Sequence, residues 1–471
     1  MSHVEGKQAL LPVALRRTLL VVGLGAAMSM LDSTIVNVAL DSLAEDLGTS
    51  VHTIQWVVTA YLLAMAAVVP TIGWLVRSFG PRQVYLCATV VFTAASAACA
   101  LATSASVLIA LRAVQGGAGG LLAAGQLILA RTAEPRHLAR AMSLFGLPLV
   151  LGPIAGPALG GLILHVAGWR AVFFVIVPFG VLAAVLAARL LPRTRPERLP
   201  SPDLAGLLTI TLGAALLTFG ITQVGDESPH AEVWAGLGLV GGAVLIVAFV
   251  MRSLRVPNPV LRLQVFREPV VAAAAVSTFF LGGLIFGAVV IMPLYFQIAR
   301  GESPLATGLL LVPQGLGSAA GIWMSGRVTE RLGSWTVVVG ALLAAVSTVP
   351  LAILPLDASL ILIGAVLVAR GFGIGLAAMP ATTAAFRAVG PRRVPDVSPV
   401  LTLLQRVGGS LFTAVFVLIL TSGSAGLDSA AFGQTFWLIA GISMAAAVAA
   451  VFLAVGETLS ALRTKHEAHS E

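Results

Sequence analysis

The chain has 471 residues, of which 58% are hydrophobic and only 10% charged, and its mean hydropathy is +0.99. A soluble fold carries roughly 25% charged residues, so a water-soluble enzyme or binding domain is excluded and a polytopic membrane protein is implied. The net charge of +8 follows membrane topology, as set out below, and is no signature of a nucleic-acid partner.

A membrane span needs about 20 apolar residues. On that rule fourteen helices are predicted, at 18–40, 53–75, 83–103, 106–130, 141–165, 170–190, 204–224, 232–251, 270–298, 305–326, 335–355, 359–387, 397–421 and 434–455. Lys7, Arg16 and Arg17 precede the first run as in a signal peptide. That run is too long and lacks a small-residue cleavage site, so it reads as a retained first span. Strands do not compete, because the apolar runs show no period-two alternation. Cys87 and Cys99 fall in one predicted helix, about 18 Å apart along its axis. That exceeds the ~7 Å limit for a disulfide, and no metal-ligand spacing is present.

Within the first span stands Asp32, in Leu31-Asp32-Ser33-Thr34-Ile35-Val36-Asn37-Val38-Ala39. A carboxylate near the centre of a membrane helix costs roughly 2.5–3.5 kcal/mol to insert, so it is by default functional. The turns after even-numbered spans hold Arg77 and Arg82; Arg131, Arg136 and Arg140; Arg189, Arg193, Arg195 and Arg198. Later turns hold Arg252, Arg255, Arg262 and Arg267; Arg327 and Arg331; Arg387, Arg392 and Arg393, and the C-terminus adds Arg463 and Lys465. Only Arg170 and Arg300 lie in the opposite loops, which hold Asp41, Glu45, Asp46, Asp226, Glu227, Asp357 and Asp428. The positive-inside rule then places both termini in the cytoplasm of a multi-pass cell-membrane protein.

The chain repeats itself. Gly73-Trp74-Leu75-Val76-Arg77-Ser78-Phe79-Gly80 follows the second span, and Gly326-Arg327-Val328-Thr329-Glu330-Arg331-Leu332-Gly333 follows the tenth. Ala110-Leu111-Arg112 is matched by Val368-Ala369-Arg370. The offsets fit two six-helix bundles, 1–195 and 263–471, flanking an extra helix pair at 196–262. Parallel repeats of this kind place the substrate path between the halves.

Six motifs in order carry a family resemblance. They are the first-span stretch around Asp32, Leu111-Arg112-Ala113-Val114-Gln115-Gly116, and Gly152-Pro153-Ile154-Ala155-Gly156-Pro157-Ala158-Leu159-Gly160-Gly161. Gly168-Trp169-Arg170, Pro293-Leu294-Tyr295-Phe296-Gln297 and Gly301-Glu302-Ser303-Pro304 complete the set. With these the chain resembles the fourteen-span drug–proton antiporters of the major facilitator superfamily, the QacA/EmrB type. The resemblance implies an all-α major facilitator fold of two six-helix bundles plus two extra helices. It further implies that Gly73, Gly80, Arg82, Gly326, Glu330, Arg331 and Gly333 form cytoplasmic turns that control conformation. One position departs: the family's first turn carries an acid where this chain has Arg77. That acid helps lock the outward-facing state, so the lock is in question here, whereas the second copy keeps an acidic–basic pair in Glu330-Arg331.

Helix geometry brings Asp32 and Arg112 to one level. Asp32 lies about 22 Å beyond Arg17, which in a ~30 Å core is about 8 Å below the outer face; Arg112 enters from that face to about 9 Å. Burial disfavours a charged carboxylate and a nearby guanidinium favours it. A motion that pairs and separates the two would make Asp32 take up and release a proton; the alternative is a fixed structural pair. Arg370 and Arg406 lie deeper, with no acid at their depth, and either bind an anionic group or bond the backbone. Asp203, Asp396 and Glu134 read as helix caps. Gln115, Gln126, Gln297, Gln314 and Gln405 are candidates to line a cavity walled by Trp56, Tyr61 and Phe286, or to join helices. Pro153 and Pro157 interrupt helix bonding, and Gly152, Gly156, Gly160 and Gly161 allow close packing, which reads as a hinge or as ordinary small-residue packing. His165 reads as interfacial.

The function expected is proton-coupled export of small hydrophobic drugs or toxic compounds, of the kind that confers antibiotic resistance, by a monomer in the bilayer. No cofactor, metal or ATPase loop is expected, since no GxxxxGK[ST] stretch occurs. A dedicated exporter of one metabolite or antibiotic, and a non-transporting membrane scaffold or receptor, remain the alternatives. An enzyme is not expected, because no nucleophile–base constellation appears.

Overall fold

The structure, a computed structural model, describes residues 11–192, 203–223, 230–257, 259, 261–391, 393–421 and 429–470. Lys7, Arg193, Arg195, Arg198, Asp226, Glu227, Arg392 and Asp428 lie outside the described residues, as do the side chains of Asp41, Pro153, Pro157, Arg463 and Lys465.

The described residues are almost wholly helical, with no strand among them. The chain begins with α1 (Val13–Val38), α2 (Leu40–Asp46), α3 (Val51–Val68), α4 (Ile72–Phe79), α5 (Pro81–Ala100), α6 (Ala105–Ala118) and α7 (Leu121–Thr132). It continues through α8 (Pro135–Phe174), α9 (Ile176–Leu190), α10 (Leu204–Thr222), α11 (Ala231–Arg255) and α12 (Pro269–Leu294). The last five are α13 (Pro304–Leu332), α14 (Trp335–Ile353), α15 (Leu360–Val389), α16 (Val394–Thr421) and α17 (Ser429–Ser470). Helices prevail because inside a bilayer only they satisfy each backbone group within the segment. Their starts obey local rules. Ser50, Ser104 and Ser303 accept the backbone N–H of Thr53, Val107 and Ala306, and prolines open α5, α8, α12 and α13, where a missing N–H costs nothing.

Ten stretches among the described residues are long and apolar enough to cross a membrane. The 29-residue α13 and 28-residue α16 are full-length rods as well and lie along the seam between the two groups described next. The run labelled α8 departs from helical geometry at Gly168, with φ 73°, which divides it where the sequence places the turn between the spans 141–165 and 170–190. In α12 the interior Pro293 precedes a π-type turn at Tyr295–Ala299, a known cause of helix distortion.

Helices α1, α3 and α5–α9 pack on one another, and so do α12–α17. Helices α10 and α11 pair with each other, and α10 also packs on α3 of the first group and on α16 of the second. The groups meet where α8 lies along α13 and α15, and where α4 and α7 lie along α16.

Candidate functional site

Asp32 on α1 is 1% exposed and Arg112 on α6 is fully buried. Arg112 Nη1 donates to Asp32 Oδ2 at 2.7 Å, and the same nitrogen donates to Gln115 Oε1 at 2.7 Å. Gln115 Nε2 donates to the other carboxylate oxygen, Asp32 Oδ1, at 2.9 Å. Arg112 Nε donates to the Val57 carbonyl at 3.2 Å, and the guanidinium stacks over Tyr61 with its carbon 4.3 Å from the ring centroid. Each residue sits where helix geometry puts it. Arg112 and Gln115 are three apart and share a face of α6, and Val57 and Tyr61 are four apart on the facing side of α3. Gln115, expected as a cavity amide, therefore completes the ion pair.

The glycine motif on α8 holds α1 at this site. Gly152, Gly156 and Gly160 recur every four residues and face Met30, Thr34 and Ile35, which flank Asp32. A Cβ on Gly156 would overlap Thr34 Oγ1, which itself donates to the Gly152 carbonyl at 3.3 Å. Gly161 faces open space.

The repeated turns do matching work. Gly80 and Gly333 end α4 and α13 with φ of 85° and 57°, values that L side chains rarely adopt. Seven residues earlier, Gly73 presses on the Pro395 carbonyl of α16 and Gly326 on the Arg140 backbone of α8, so each copy lets its helix touch the opposite group. Beside the Gly73 contact, Arg77 forms an ion pair with Asp396, both side chains less than 10% exposed. Asp396 is thus paired across the seam rather than serving only as the cap expected. Glu330 and Arg331 of the second copy are exposed. Further contacts cross the seam at the same Arg-rich end: Ser143 donates to the Ile322 carbonyl, Ser325 donates to Ser143 at 3.2 Å, and Ser398 reaches Gln126 at 3.5 Å.

Of the other span arginines, Arg370 is fully buried and donates to Thr348 Oγ1 at 3.1 Å and Gln314 Oε1 at 3.0 Å. Among the described residues Arg406 donates to Met65 Sδ, at 3.6 Å. Arg82 donates to the Ala188 carbonyl, Gln297 and His165 are exposed, and Trp56 stacks on Phe219 of α10, away from Tyr61. Asp203 caps α10 through Gly206 N–H at 3.0 Å and pairs with Arg252 at 2.8 Å. Burial alone would raise its carboxyl, but those two partners outweigh it and hold it below the usual range. Near the end of α2, Asp46 accepts Trp169 Nε1–H at 2.7 Å and Arg170 Nη1–H at 2.9 Å, and these lower its carboxyl. Among the described residues no cluster of His, Cys, Asp and Glu could hold a metal.

Sequence reasoning missed two features. The Arg77–Asp396 pair joins residues 319 apart, and only the odd Arg77 hinted at it. The Gln115 bond to Asp32 was signalled by its three-residue spacing from Arg112.

Comparison with known proteins agrees with the geometry. A sequence profile of the Major Facilitator Superfamily matches residues 22–413. The chain is 35% identical over 416 residues to the multidrug resistance protein B homolog of Mycobacterium tuberculosis, covering 87% of this chain and 77% of that protein. It is 33% identical over 336 residues to the putative multidrug resistance protein MdtD of Salmonella heidelberg, covering 71% of each. Among solved structures, the human organic anion transporter MFSD10 superposes with TM-score 0.63 at 17% identity, covering 93% of this chain and all of that one. The proton:xylose symporter XylE superposes with TM-score 0.63 at 14% identity, covering 92% of this chain and 94% of that one; both likenesses speak to the fold. With a buried ion pair between its helices, a repeated turn on each side of the seam and a profile match over most of its length, this chain belongs to the Major Facilitator Superfamily, a family of membrane transporters rather than enzymes.

Proposed function

We propose that the protein is a secondary active exporter that moves small hydrophobic compounds, including drugs, out of the cell in exchange for protons. The observation that carries this reading is the buried Asp32–Arg112–Gln115 cluster. In it the buried carboxylate accepts hydrogen bonds from a guanidinium and an amide, so a motion of α1 against α6 that withdraws Arg112 leaves Asp32 to take a proton. Returning Arg112 expels that proton. The names of its relatives, multidrug resistance proteins, support the substrate class.

In this reading fourteen helices span the cell membrane with both termini in the cytoplasm. A pair of extra helices (196–262) joins six-helix bundles at 1–195 and 263–471, and a monomer suffices. The cross-seam contacts gathered at the Arg-rich end support a conformation closed toward the cytoplasm. The Arg77–Asp396 pair would be its latch, a charge-reversed counterpart of the acid-bearing turn of the family. Each proton entering down a 100 mV potential releases about 2.3 kcal/mol, so no ATP or cofactor is required.

The test is transport by the full-length protein in proteoliposomes with a pH-sensitive dye inside. Substrate-dependent proton movement, together with uncoupler-sensitive resistance of cells to a panel of hydrophobic drugs, is the expected result. Substrate movement unaffected by an uncoupler, or no movement for any of the panel, would overturn it.

A further inference from the structure

The Gly168-Trp169-Arg170 stretch has no part in the coupling scheme above. Gly168 divides α8, and beyond it Trp169 and Phe173, four residues apart, share one helix face. At the outer end of that face Trp169 Nε1–H donates to Asp46 Oδ2 at 2.7 Å, and Arg170 Nη1–H donates to the same oxygen at 2.9 Å. The Arg170 guanidinium also lies over the Trp169 ring, its carbon 4.2 Å from the centroid. Asp46 ends α2, which follows α1 directly after Ala39. This clasp therefore ties the outer continuation of the helix that carries Asp32 to the turn that precedes Phe173.

The inner end of the same face reaches the buried ion pair. Phe173 is fully buried. Its ring meets that of Trp169 edge-on at 6.2 Å, and its carbonyl accepts the Ser96 hydroxyl of α5 at 2.9 Å. The ring centroid stands 5.8 Å from the Arg112 guanidinium carbon. That is within reach of a cation–π attraction, which is stronger between desolvated partners. Both partners are buried here, and Trp169 and Phe173 share one apolar cluster with Ile35 and Val36 of α1, Leu43 of α2 and Leu108 of α6.

We infer that Phe173, seated by the Asp46–Trp169–Arg170 clasp, is a positioning residue that holds Arg112 against Asp32, so that the outer turn sets how readily Asp32 takes a proton. A guanidinium held at a carboxylate opposes its protonation, and one free to move away opposes it less. Loosening the clasp therefore favours proton uptake by Asp32. Direct electrostatics has the opposite sign, because removing the negative charge of Asp46 would by itself make Asp32 harder to protonate. Among the described residues the other titratable side chains at the pair are Tyr61 of α3 and Cys99 of α5, whose sulfur is 4.0 Å from Gln115 Oε1. Groups of those two kinds ordinarily titrate above about pH 8. This role deepens the transport reading and rests on it for its purpose, but the protonation of Asp32 can be measured at equilibrium with no transport.

The test is infrared difference spectroscopy of the full-length protein in nanodiscs as the pH is lowered. It reads the carbonyl band of a protonated carboxyl, and the part missing from Asp32→Asn is assigned to Asp32. Phe173→Leu removes the ring and keeps an apolar side chain; Asp46→Ala changes a half-exposed side chain and leaves the core intact. Each should raise the midpoint of the Asp32 band by about one pH unit, a tenfold gain in proton affinity. Asp46→Glu, which keeps an acceptor for Trp169 and Arg170, should hold the wild-type midpoint. The double variant of Phe173→Leu and Asp46→Ala should shift no further than Phe173→Leu alone, because the clasp acts through that ring. A merely structural role would lower thermal stability and leave the midpoint in place. That result, a lowered midpoint in Asp46→Ala, additive shifts in the double variant, or no Asp32 band in any protein at the lowest pH reached would overturn the inference. Export insensitive to an uncoupler would instead overturn the transport reading and leave this measurement standing.

Discussion

Replacing Asp32 with Asn tests the coupling scheme at its centre. The amide keeps the shape of the carboxylate and can still accept a hydrogen bond, but it has no charge and carries no proton. Removing one partner of a buried pair leaves the other uncompensated, at a cost of about 3–5 kcal/mol. Here Arg112 keeps its bonds to Gln115 and the Val57 carbonyl and its contact with Tyr61, which places the loss near the low end, about 3 kcal/mol. The functional loss is larger. One proton entering down 100 mV supplies about 2.3 kcal/mol, enough to sustain roughly a 50-fold gradient of an uncharged substrate, since 1.4 kcal/mol is tenfold. Proteoliposomes with an imposed 100 mV potential should therefore concentrate a hydrophobic fluorescent dye about 50-fold with the wild-type protein. With Asp32→Asn they should only equalise it. Dye exchange without a gradient should persist in the variant, since exchange needs motion of the halves but no proton. A variant that still concentrates the dye would refute Asp32 as the proton site.

Arg77→Asp alone should place two carboxylates together at the seam and open the Arg-rich end, seen as increased maleimide labelling of a cysteine placed at Ser398; adding Asp396→Arg should restore the wild-type level, with a coupling energy of about 1–3 kcal/mol between the two positions. Gly156→Val should drive a side chain into Thr34 and lower thermal stability by about 1–3 kcal/mol. The control Gly161→Val, in open space, should change it by less than about 0.5 kcal/mol. The Asp46 carboxyl is lowered below its ordinary 3.8 by Trp169 and then Arg170. A depressed folded value means that the contact is present above the unfolded value and lost as pH falls through the folded one. The fluorescence difference between wild type and Trp169→Phe should thus stay flat from pH 7 down to about 4 and change only below; a transition near pH 6 would refute the pairing.

Much of this molecule was legible before any coordinates. Composition demanded a membrane protein, and a fixed rise per residue in a slab of fixed thickness gave the depth of every span residue. That is why Asp32 and Arg112 were matched in level, while the Gly73 and Gly326 turns were found as copies by their shared glycine spacing. The first and last residues of several rods were also anticipated closely; α15, for example, was expected at 359–387 and runs over Leu360–Val389.

Depth along an axis says nothing of which way a helix faces, and that was settled only by packing. Gln115 turned out to bond Asp32 rather than line a cavity. Asp396, read locally as a cap, met an arginine 319 residues away, because Gly73 lets α4 press against the start of α16. Helix α10 was a featureless apolar run until its neighbours proved to be α3 and α16. The sequence by itself determined the class of the protein, the levels of its buried charges and its internal repeat. The tertiary structure decided the partners of those charges, because rotation about a helix axis and contact between distant helices are fixed by side-chain fit and not by position in the chain.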